Sequence, residues 1–123
     1  MTTAFRTETE ELDGGVTCVL VFGELDQATV PVLERALGPL VEGDGSVLID
    51  LSSCEFIDSS GLAAFVAAKD GITATDGRKL VVCCPDAQVS RLFELTGLDR
   101  AMGLGQSRDD ALATLRGASP EPA

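Results

Sequence analysis

Midway along the chain, the stretch Cys54-Glu55-Phe56-Ile57-Asp58-Ser59-Ser60-Gly61-Leu62 brings a carboxylate and two hydroxyls side by side. The apolar run before it, Val47-Leu48-Ile49-Asp50-Leu51, reads as a buried strand, and Leu62 to Ala68 after it reads as a helix. Asp58, Ser59 and Ser60 therefore fall where a helix begins, with oxygens able to accept from the free amides of the first turn. A serine so placed is held near the surface on a defined backbone, which suits both capping and covalent modification. Local sequence alone favours the plainer role, because Asp and Ser are ordinary helix caps.

Other chemistries find little support. The chain has no histidine, which removes Ser–His and Cys–His nucleophile pairs and the commonest general base, while lysine- or carboxylate-based chemistry stays open. Cys18, Cys54, Cys83 and Cys84 show no C-x-x-C spacing, so neither a metal centre nor a cofactor is expected. Three of them fall in predicted strands and read as reduced, buried, small apolar residues. A phosphate loop would need G-x-x-x-x-G-K-[ST] or G-x-G-x-x-G; Gly23-Glu24-Leu25-Asp26, Ser60-Gly61-Leu62 and Gly103-Leu104-Gly105 match neither. A phosphoaspartate receiver would use Asp50 or Asp58, but no acidic pair follows the strand ending at Phe22, and the last strand candidate offers Arg100 in place of lysine.

At 123 residues the chain is one domain, with a core drawn mainly from Val, Leu, Ile and Ala, since its only aromatics are five Phe. The net charge of −11 argues against nucleic acid and against anionic lipid, and is compatible with a basic protein partner. No apolar run approaches the roughly 20 residues of a membrane helix, and Met1-Thr2-Thr3-Ala4 lacks a signal peptide's start. A cytoplasmic protein without membrane insertion is expected.

Phe5 to Leu12 reads as a Thr-rich edge strand, turned by Asp13-Gly14-Gly15 into a second, central strand from Val16 to Phe22 that Gly23 ends. Glu24 to Thr29 is a loop entering a helix with Val30, Leu33, Ala36, Leu37 and Leu40 on one face, and Pro31 is tolerated in its first turn. The break Glu42-Gly43-Asp44-Gly45 leads to the third strand, Val47 to Leu51. Leu62, Phe65 and Val66 make the inward stripe of the next helix, and Asp70-Gly71 and Asp76-Gly77 bracket a polar connection. A fourth strand, Lys79 to Cys84, is stopped by Pro85. Asp86 caps a helix with Val89, Leu92 and Phe93 inward, which Gly97 terminates. Leu98 to Met102 reads as a short last strand. Ser107-Arg108-Asp109-Asp110 resembles a capping box before Ala111 to Leu115. The pattern predicts an α/β domain with a mixed sheet, spanning residues 5–116 between a flexible start at 1–4 and a disordered tail over 117–123.

Three motifs then fall in a telling order. Gly23-Glu24-Leu25-Asp26 precedes one helix, Asp58-Ser59-Ser60-Gly61-Leu62 starts the next, and Leu95-Thr96-Gly97-Leu98-Asp99 follows. Together, over roughly Phe5 to Leu115, they resemble a STAS domain, and more narrowly the bacterial anti-sigma factor antagonists, also called anti-anti-sigma factors. The resemblance implies a non-enzymatic partner switch. The unphosphorylated protein binds an anti-sigma factor that is also a serine kinase, and so frees a sigma factor. The kinase phosphorylates the serine after the motif's aspartate, here Ser59, with Ser60 the secondary candidate, and a metal-dependent serine phosphatase restores the binding form. Asp26 matches the first motif's aspartate beside the phosphoserine, so the implied docking surface comprises Glu24, Leu25, Asp26, Asp58, Ser60, Gly61 and Leu62.

The family commonly has Gly where this chain has Ala63, and its helix here is unusually alanine-rich, a departure that bears on partner choice. Two alternatives stand beside the switch. One is an unphosphorylated accessory subunit of a transporter or stress-sensing complex. The other is a small-molecule or nucleotide-binding module using the same loops as a pocket.

Overall fold

Strands β1 (Arg6–Leu12) and β2 (Val16–Leu25) form an antiparallel hairpin, closed by Gly14 and Gly15, both at positive φ. The structure, a computed structural model, describes residues 4–117. The expected flexible start and disordered tail lie almost wholly outside those residues. Helix α1 (Val30–Glu42) returns the chain to β3 (Ser46–Ile57), which runs parallel to β2. Helix α2 (Ser59–Thr73) leads to β4 (Leu80–Cys83), parallel to β3, and α3 (Ala87–Leu95), α4 (Leu98–Ala101) and α5 (Arg108–Leu115) complete the fold. The result is the expected α/β domain, with a mixed sheet in the order β1-β2-β3-β4.

Strand alternation divides the apolar residues between two cores. Val19, Val21, Val47, Ile49 and Val82 face Leu33 and Leu37 of α1, Phe65 of α2 and Phe93 of α3. The intervening Cys18, Leu48, Val81 and Cys83 face Ala111 and Leu115 of α5. Phe65 and Phe93 stack at 6.3 Å between ring centroids, locking α2 to α3. All four cysteines are buried and unpaired. Burial pushes the Cys84 thiol up to about 12 and Cys18 to about 11, so both stay protonated and inert at neutral pH.

Several elements run further than their sequence suggests. Gly23 does not end β2: at φ 94 it sits in a bulge, where the register with β3 slips by one residue, and the strand continues to Leu25. A second slip between Leu20 and Phe22 lets β3 pass its polar Ser52-Ser53 and reach Ile57 instead of stopping at Leu51. Asp70-Gly71 does not break α2. Ile72 is fully buried beyond it, and a Cβ on Gly71 would stand 2.6 Å from Val41 Cγ1, so the glycine permits close α1–α2 contact. Of the alanines on α2, Ala64 and Ala68 pack inward while Ala63 and Ala67 are exposed.

Leu98 to Met102 is not a strand. Gly97, at φ 76, ends α3 and the chain enters the short helix α4. Pairing with the outer edge of β4 falls instead to the segment after it. Val82 N donates to Met102 O, Gly105 N to Val82 O and Cys84 N to Gly105 O, each at 2.9 Å. The cap at Ser107 forms as expected, its Oγ accepting from Asp110 N at 3.1 Å.

Candidate functional site

The parallel strands β2 and β3 end together, with Glu24 opposite Phe56 and Leu25 opposite Ile57, and the site is built on that edge. Asp58 leaves the sheet in an extended conformation and caps α2, its Oδ1 accepting from Ser60 N at 2.9 Å and Gly61 N at 3.1 Å. Leu62 N donates to Asp58 O at 3.1 Å, so the amides of Ser60, Gly61 and Leu62 are all satisfied by one residue. Ser59, the first helical residue, is exposed, and Ser60 is half-buried.

Asp26 organises the neighbouring loop in the same manner. Its Oδ1 accepts from Ala28 N at 3.0 Å and Thr29 N at 3.1 Å. Thr29 Oγ1 accepts from Asp26 N and donates to Glu24 O, each at 2.9 Å. Thr29 supplies α1 with no side-chain cap, and the Asp26 turn takes over that work. Asp58 N donates to Leu25 O at 3.1 Å and ties the two loops together.

The sequence-predicted residues therefore form one patch in two layers. Glu24, Asp26, Asp58, Ser59 and Ser60 reach its surface, whereas Leu25, Gly61 and Leu62 are buried beneath it. Gly61 is there for clearance: a Cβ would approach Leu25 Cδ2 at 2.7 Å and Ile57 Cγ1 at 2.8 Å. Sequence reasoning passed over Phe56, which is 48% exposed beside Glu24. The bulges that turn it outward leave no local signal.

Comparison with known proteins places this arrangement. Residues 8–111 match the STAS domain. The anti-sigma-B factor antagonist of Staphylococcus aureus is 34% identical over 92 residues, 74% of this chain and 84% of that protein. The crystal structure of an anti-sigma factor antagonist from Mycobacterium paratuberculosis superposes with a TM-score of 0.78 at 37% identity, covering 92% of this chain and 95% of that one. The chain belongs to the STAS-domain family of anti-sigma factor antagonists. The Bacillus cell fate determinant SpoIIAA in its phosphorylated form shares the fold of this STAS domain, with a TM-score of 0.66 at 20% identity over 89% of this chain and 99% of that one.

On the opposite face of the STAS domain lies Asp50, 6% exposed. Its Oδ2 accepts from Arg108 Nη2 at 3.0 Å, and its Oδ1 accepts from Ser52 N at 2.9 Å and Ser52 Oγ at 2.6 Å. These contacts make it the anchor of α5. Burial alone would raise its carboxyl, but the Ser52 hydroxyl and amide and the Arg108 guanidinium outweigh it and hold the group below the usual carboxylate range. A depressed native pKa stabilises the fold above the unfolded carboxyl value, and that contribution disappears as pH falls through the native one. Melting temperature should therefore drop more steeply below about pH 4 in the wild type than in Asp50→Asn. Parallel acid profiles would show Asp50 to be uninvolved.

Proposed function

We propose that the protein is the phosphorylation-controlled half of a partner switch. In its unphosphorylated form it binds an anti-sigma factor that is also a serine kinase, through the patch around Glu24, Asp26, Asp58 and Ser60, and so releases a sigma factor. Phosphorylation of Ser59 by that kinase ends the association, and a serine phosphatase restores it. The protein itself performs no catalysis. Membership of a family whose relatives are anti-sigma factor antagonists supports the partner class.

The observation that carries the choice of residue is the exposure of Ser59 on a fixed helix start where Asp58 already occupies the amides of Ser60 and Gly61. A phosphate there would add about −1.5 to −2 charges and three acceptor oxygens. With the amides of Ser60 and Gly61 engaged, the new charge faces outward, between Asp58 and the Asp26 loop, where the partner approaches.

Incubation with the cognate kinase and ATP tests this. Phosphate incorporation should reach one per chain in the wild type and in Ser60→Ala, and be lost in Ser59→Ala, which should still bind the kinase. Full-rate phosphorylation of Ser59→Ala would overturn the assignment.

A further inference from the structure

Beyond Asp50 the third strand changes its rhythm. Its inward residues, Leu51, Cys54 and Ile57, are three apart, because one register slip with β2 falls between Asp50 and Ser53 and another between Cys54 and Phe56. Each interval leaves two residues turned out, first Ser52-Ser53 and then Glu55-Phe56. Serine and glutamate suit exposure, whereas a phenyl group held out in water forgoes the gain of burial. Among the described residues, Phe56 and Leu95, the last residue of α3, are the large apolar side chains left exposed.

The sheet is narrowest around Phe56. Pairing with β1 reaches no further along β2 than Phe22, opposite Arg6, and pairing with β4 ends at Asp50, opposite Cys83. Residues 23–25 and 51–57 therefore project as a two-stranded tip, with Glu24 opposite Phe56. The Asp26 and Asp58 loops leave from this tip, and Phe56 stands two extended residues, about 7 Å, before Asp58. Residues 23–29 and 51–62 carry Glu24, Asp26, Glu55 and Asp58 and no Lys or Arg. An aromatic centre within a charged rim is the anatomy of an interface hot spot, and a rim of one sign selects a partner of the other. The chain itself shows which group suits such a ring: the Arg6 guanidinium lies 3.8 Å from the centre of the Phe22 ring.

We propose that Phe56 is the apolar anchor of the docking surface, entering a socket on the anti-sigma partner that is rimmed by Lys and Arg. The proposal rests on the partner reading above and adds to it a residue that phosphorylation does not touch. The ring supplies affinity through burial, and the four carboxylates around it supply orientation and the rate of encounter.

Binding to the purified anti-sigma kinase, and phosphorylation by it, test the proposal. Phe56→Ala should weaken binding about tenfold and raise KM by a similar factor, with kcat within about twofold, because the ring docks without touching Ser59. Phe56→Leu keeps most of the apolar surface and should bind within about threefold of wild type. A Phe56→Ala protein that binds and is phosphorylated like wild type would overturn the anchor and leave the partner reading intact. So would a fall in kcat at unchanged KM, which would make Phe56 a positioning residue for Ser59. Failure of the wild type itself to bind the kinase or to be phosphorylated would overturn the partner reading, and the anchor with it.

Discussion

Ser59→Asp is expected to weaken binding to the anti-sigma partner about hundredfold while shifting the melting temperature by less than about 3 °C. The two halves of this expectation rest on different parts of the same geometry. For stability, the added carboxylate sits at a helix N-terminus, where the dipole favours negative charge by about 0.3–1 kcal/mol. The Asp58 carboxylate, already bonded to the Ser60 and Gly61 amides, repels it by a similar amount. The sum is close to zero, and residue 59 is exposed, so folding is nearly indifferent.

For binding, the proposed docking requires the same charge to be covered next to Asp58 and Asp26, without a cation in the patch to match it. Burying an unmatched charge costs about 2–5 kcal/mol, and about 2.7 kcal/mol is a hundredfold. Calorimetry of unfolding and of complex formation on one preparation separates the two. Equal loss of stability and of affinity would sink the interface account. Salt adds a second discrimination: long-range repulsion would be relieved at about 0.5 M, whereas a desolvation penalty would persist.

The geometry of the candidate patch was largely legible in the sequence because it is local. Asp58 caps amides two and three residues ahead, and Asp26 closes a turn within three residues, both interactions that residue type and spacing announce. Strand and helix periodicities likewise placed β2, β3 and α2 around it. What escaped depends on distant partners. Gly23 ended a strand on paper, but pairing with β3 absorbs it as a bulge. Asp70-Gly71 has the composition of a break, but Gly71 lies within α2 and gives Val41 of α1 its clearance. Leu98 to Met102 had strand-like composition, yet the edge of β4 is bonded by Met102 and Gly105, and α4 fits before them. The largest omission is charge. Arg108 reaches Asp50 across 58 positions and Arg78 reaches α1 across 37, and no local pattern distinguishes either from a solvated arginine.

Arg78 carries the second large expectation: Arg78→Met should lower the melting temperature by at least about 10 °C. The residue is 7% exposed, in the turn before β4. Its Nε donates to Gly45 O at 2.8 Å, its Nη1 to Val41 O at 2.9 Å, and its Nη2 to Leu40 O. Two of these carbonyls belong to the last turn of α1, which has no basic residue of its own and ends at Gly43. The guanidinium thus meets the negative end of the helix dipole and joins it to the turn entering β3. Leu40 O keeps a second partner in Gly43 N at 3.2 Å, whereas Val41 O and Gly45 O lose their side-chain donor. Two uncompensated carbonyls at about 1–3 kcal/mol each, with the lost charge–dipole attraction, amount to about 3–4 kcal/mol. That is a large share of a domain's 5–15 kcal/mol. Arg78→Lys should recover less than half, because one ammonium cannot span three diverging acceptors in the way a planar fork does. Well below the transition, Arg78→Met should bind the partner with wild-type affinity, since the Ser59 patch lies on other segments. A melting temperature within about 3 °C of wild type would mean that water replaces all three donors, and that the turn before β4 does not hold α1 in place.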